Sequence, residues 1–76
     1  LFKADFSFAT LTSAKLTGAD LRNSDLVQAD FSAADLSNAN LEFADIRGAI
    51  FTGARGMATV RGLDRTRNRD QAIFDP

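Results

Sequence analysis

The sequence predicts an all-β fold in which the chain coils as a cornered solenoid, and three observations predict it. Large apolar residues recur every five positions, a small residue stands two places before each, and turn-forming residues cluster two places after. The large series runs Leu1, Phe6, Leu11, Leu16, Leu21, Leu26, Phe31, Leu36, Leu41, Ile46 and Phe51 without a gap. The small series runs Ala4, Ala9, Ala14, Ala19, Ser24, Ala29, Ala34, Ala39, Ala44, Ala49 and Ala54.

A period of five suits neither regular element. On an α-helix each step of five advances about 140°, so the large residues would spiral over every face. On a flat strand an odd step sends successive large residues to opposite faces. Within one unit, however, the small and large residues are two apart and point the same way in extended backbone. A corner in the remaining residues lets every unit aim its pair at one axis. Of the eleven positions that follow each large residue by two, Gly18, Asn23, Asn38, Gly48 and Gly53 tolerate the positive φ of a turn. Ala33 and Phe43 stand at the same position, so some corners are expected to turn without positive φ.

The runs Ala19-Asp20-Leu21, Ala29-Asp30-Phe31, Ala34-Asp35-Leu36, Ala39-Asn40-Leu41 and Ala44-Asp45-Ile46 resemble the A(D/N)LXX signature of pentapeptide-repeat proteins. The resemblance covers residues 1 to about 54. It implies a right-handed quadrilateral β-helix with one pentapeptide per side and four per coil. Residues 1–54 then form a solenoid of about 2.7 coils, ~13 Å tall, and residues 55–76 a C-terminal capping segment. Stacked positions lie twenty apart, and Gly56, arriving where a large residue is due, marks the end of the regular coil.

The outward columns follow from the same register. Lys15, Asp35 and Arg55 alternate in sign, which favours the register slightly. Asp5, Asp25 and Asp45 stack like charges, which a hydrated face tolerates. These aspartates are read chiefly as turn-capping groups. Phe2, Phe8, Val27 and Phe43 occupy outward positions on two neighbouring faces and form one candidate partner-binding patch.

After Arg55 the register slips. Ala58-Thr59-Val60 reads as one more unit and Ala72-Ile73-Phe74 as another, separated by a polar excursion with one helical turn. Ile73 and Phe74 are expected to return and cover the open end, because an uncovered final coil exposes strand edges. Arg61, Arg65, Arg67 and Arg69 form a basic cluster, read either as a second candidate partner-binding surface or as a solvated loop pairing with Asp64 and Asp70.

Composition argues against catalysis. The 76 residues contain no His, Cys, Tyr or Trp. That removes the common general base near neutral pH, the thiol nucleophile and the commonest zinc ligands. The remaining carboxylates point outward, whereas acid–base chemistry needs one buried and perturbed. The glycines fall at corners and form no phosphate loop. No catalytic residue, cofactor site, metal site or small-molecule substrate is assigned. Charge is asymmetric: residues 1–54 hold seven acids against four bases, and residues 55–76 five arginines against three aspartates. The arginines carry no interleaved aromatic residue, which disfavours nucleic-acid binding.

A non-catalytic protein–protein interaction or structural module with a protein partner is therefore expected. Leu1 begins inside a repeat, so either further residues precede it or the exposed end docks on another chain. The family resemblance implies two more specific roles. One is a peripheral or assembly subunit of a photosynthetic membrane complex in the thylakoid lumen of a chloroplast or cyanobacterium, without membrane insertion. The other is a DNA-mimicking protein that protects topoisomerases, for which this column is short and its tail basic.

Overall fold

A computed structural model describes residues 3–75. Parallel backbone bridges join residues twenty apart, and successive bridges start five apart, so twenty residues make one circuit of four sides. The first side carries Asp5, Asp25 and Asp45, and the second Thr10, Asp30 and Ile50. The third carries Lys15, Asp35 and Arg55, and the fourth Asp20 and Asn40. Among the described residues each side contributes one bridged residue rather than a longer strand. The fold is thus a β-helix by its parallel bridges, while most of its backbone lies in turns.

One pentad shows how the amides are satisfied. Leu26 N–H donates to the Asp45 carbonyl (2.9 Å) and Gln28 N–H to the Arg47 carbonyl (2.8 Å), both in the following coil. Asp30 N–H donates to the Ala9 carbonyl in the preceding coil (2.9 Å), and Ala29 N–H closes a turn onto the Leu26 carbonyl (3.0 Å). Val27 N–H donates to Asp25 Oδ1 (3.1 Å). All five donors have partners, as buried backbone requires.

The third residue of each such turn has positive φ, the arrangement of a type II turn. This holds even at Ala33 (φ 61) and Phe43 (φ 63), contrary to the expectation that these corners would avoid it. The hydrogen bonds of the coils above and below impose the corner geometry whatever side chain sits there. For residues bearing Cβ the left-handed region costs about 1–2 kcal/mol.

The small and large residues meet inside. Leu21, Leu26, Phe31, Leu36, Leu41, Ile46 and Phe51 are at most 1% exposed, together with the alanines from Ala29 to Ala49. Phe6, Leu11 and Leu16 of the first coil are half-buried against them, because no described coil lies beneath. Ser24, the one polar member of the small series, is fully buried, and its Oγ accepts a hydrogen bond from Ala4 N–H (3.3 Å). Phe31 and Phe51 stack nearly parallel at 5.2 Å, and Phe74 continues the ladder at 5.3 Å.

The chain does not leave the column after Arg55; it changes period. Arg61 bridges Asn40, Arg67 bridges Asp45 and Ile73 bridges Ile50, so the bridged residues now recur every six. Each six-residue unit begins with a left-handed residue, Gly56, Gly62 or Asn68, followed by a 3-10 turn: Met57–Thr59, Leu63–Arg65 and Arg69–Gln71. The extra residue widens each corner. Of Ala58-Thr59-Val60 only Val60 packs against the core: Ala58 and Thr59 sit exposed in the first 3-10 turn. Ala72-Ile73-Phe74 does act as a further core unit: Ala72 and Phe74 pack on the core, beside Met57, Val60 and Leu63 of the same segment, while Ile73 faces outward and is 50% exposed. With this added winding the Cα trace measures 22 × 22 × 21 Å, well beyond the ~13 Å height expected of the pentads alone.

Glycine is required at two of the three six-residue corners, Gly56 and Gly62, for two reasons at once. Both have positive φ, and a Cβ on Gly62 would lie 2.7 Å from Glu42 Cα, while one on Gly56 would overlap Ser37. Gly62→Ala is expected to destabilise the fold by about 2 kcal/mol or more, through strain and overpacking combined. Ala33→Gly, at an exposed corner, should raise stability by about 0.5–1 kcal/mol by relieving positive φ. Urea denaturation of both variants checks the pair.

Candidate interaction faces

The outward aspartates are engaged by the backbone of their own corners. Asp5, Asp20, Asp25, Asp30, Asp35 and Asp45 each accept, through Oδ1, the N–H two residues on, and Asn40 does the same. The side chain thereby satisfies the one amide that neither neighbouring coil reaches. In the runs Asp5-Phe-Ser7, Asp30-Phe-Ser32 and Asp35-Leu-Ser37 the serine hydroxyl adds a second bond at 2.6–2.7 Å.

These bonds hold the carboxyls in their charged form. The hydroxyls and amides of Ser7, Ser32 and Ser37 lower the pKa of Asp5, Asp30 and Asp35. The Arg22 guanidinium, donating to both oxygens of Asp20 at 2.8 Å, brings that carboxyl down to about 2. Burial pushes Asp45 up, but the Asn68 amide, Arg47 N–H and the charges of Arg67 and Arg47 leave it lowered.

Three arginines of the last coil, all exposed, contact other parts of the protein surface. Arg65 pairs with Glu42 (2.9 Å), not with Asp64. Arg67 Nε donates to the Phe43 carbonyl (3.0 Å), and Arg69 lies over the Phe74 ring, 5.8 Å from its centroid. Arg69 thus extends the Phe31–Phe51–Phe74 ladder with a cation–π contact at its end. Arg61 is exposed on the fourth side, across the bridge from Asn40.

Exposed apolar side chains concentrate on two neighbouring sides. Phe8 is 69% exposed at the corner joining the first and second sides, and its N–H donates to the carbonyl of half-buried Val27. Phe43 is exposed at the corner where the first side begins, two coils from Phe8 along the column. Phe2, the remaining residue of that patch, lies outside the described residues. Ile50 and Ile73, bridged to each other on the second side, add an apolar pair that the sequence reading missed. The signal was available for Ile50, which stands between Ala49 and Phe51 at the outward position. Ile73 needed the change of period.

The pentapeptide-repeat family model matches residues 14–53 in eight copies. The chain belongs to the pentapeptide-repeat family. Membership implies the right-handed winding of the coil. The chain is also similar to a crystal structure of a pentapeptide repeat protein, Rfr23, from the cyanobacterium Cyanothece 51142. Identity there is 30% over 99% of this chain and 56% of that one, with a TM-score of 0.35, so this chain spans a little over half the length of that protein. No curated protein matches.

Because the carboxyl pKa values are depressed on folding, the aspartates contribute stability in full above the ordinary carboxyl pKa of about 4, and lose it as pH falls toward 2. The thermal midpoint is expected to be flat from pH 7 to 5 and to drop below pH 4. Asp35→Asn should retain most of the midpoint, since Asn40 makes the same turn, whereas Asp35→Ala should lower it. Melts of the three proteins at pH 7 and pH 3 measure both effects.

Proposed function

We propose that this pentapeptide-repeat chain is a non-catalytic protein-interaction module whose binding surface lies on the first and second sides of the column. The observation carrying this reading is the segregation of the outward apolar residues: Phe8, Val27, Phe43, Ile50 and Ile73 all border those sides, while the third and fourth present Thr, Ser, Lys, Asp and Arg. Apolar surface gathered on one part of a small protein is the usual mark of a docking site. The chemistry of the carboxyls supports a non-catalytic role, because catalytic acids are tuned upward and these are held down. The arginines of the last coil, largely occupied by Glu42, Phe43 and Phe74, contribute less to this surface.

Residues 55–76 serve in this reading as the cap, sealing the Phe51 column through Phe74. The form of the role that family resemblance favours is a peripheral or assembly subunit of a photosynthetic membrane complex. No helix among the described residues is long and apolar enough to cross a membrane, which accords with peripheral attachment. The DNA-mimic reading fares worse: the first side carries an arginine above its three aspartates.

Photo-crosslinkers placed singly at Phe43, Ile73, Thr17 and Ser37 test the surface in native extract. Specific adducts are expected from positions 43 and 73 and not from 17 and 37. Equal labelling from all four positions would overturn the assignment.

A further inference from the structure

We draw no further inference here: the strongest candidate, the exposed apolar patch of Phe8, Phe43 and Ile73 bordering the first and second sides of the column, belongs to the surface already described, and nothing in the structure shows what covers it.

Discussion

The repeat region depends on turning a corner every five residues while three amides of a pentad, as in residues 26–30, stay bonded to the coils about twenty residues away. The turn carbonyl, the preceding coil, the following coil and an aspartate side chain divide the five donors of a pentad among them. Because that division leaves no amide to spare, a corner cannot relax without breaking two inter-coil bonds. At about 1 kcal/mol each, these are comparable with the left-handed strain they enforce. Phe43 and Ala33 therefore adopt a conformation that neither favours alone.

The same constraint explains why the aspartates belong to the architecture. A column of three carboxylates at strand spacing invites an electrostatic reading, yet each oxygen that matters points back at the amide two residues along. The charge is the by-product of the best short acceptor at that position, and Asn40 shows that the acceptor is what the turn needs. What remains for recognition is the pattern of outward residues that the turns leave unused, whose exposed apolar members border the first and second sides among polar and charged neighbours.

The change from five- to six-residue units closes one end of the column without leaving it. The added residue converts a tight turn into a 3-10 turn, and glycine at Gly56 and Gly62 lets the wider corner pass close above Ser37 and Glu42. The widened coil then lays Phe74 on the aromatic ladder and Arg69 on Phe74. The capped end thus finishes in an aromatic ring under a guanidinium.

The sequence by itself determined the inward register from Phe6 to Phe51, the small partners beside them and the place where the five-residue period fails. A repeat states its own spacing, and burial follows from it. It also showed Phe8, Val27 and Phe43 facing outward, because alternation within a pentad is local. Only the tertiary structure decided that Ala33 and Phe43 turn left-handed, that residues 55–75 wind on in sixes, and that Arg65, Arg67 and Arg69 find Glu42, the Phe43 carbonyl and Phe74. Those outcomes are set by contacts with a coil some twenty residues away, where a backbone bond or a neighbouring ring overrides what the local residues would choose.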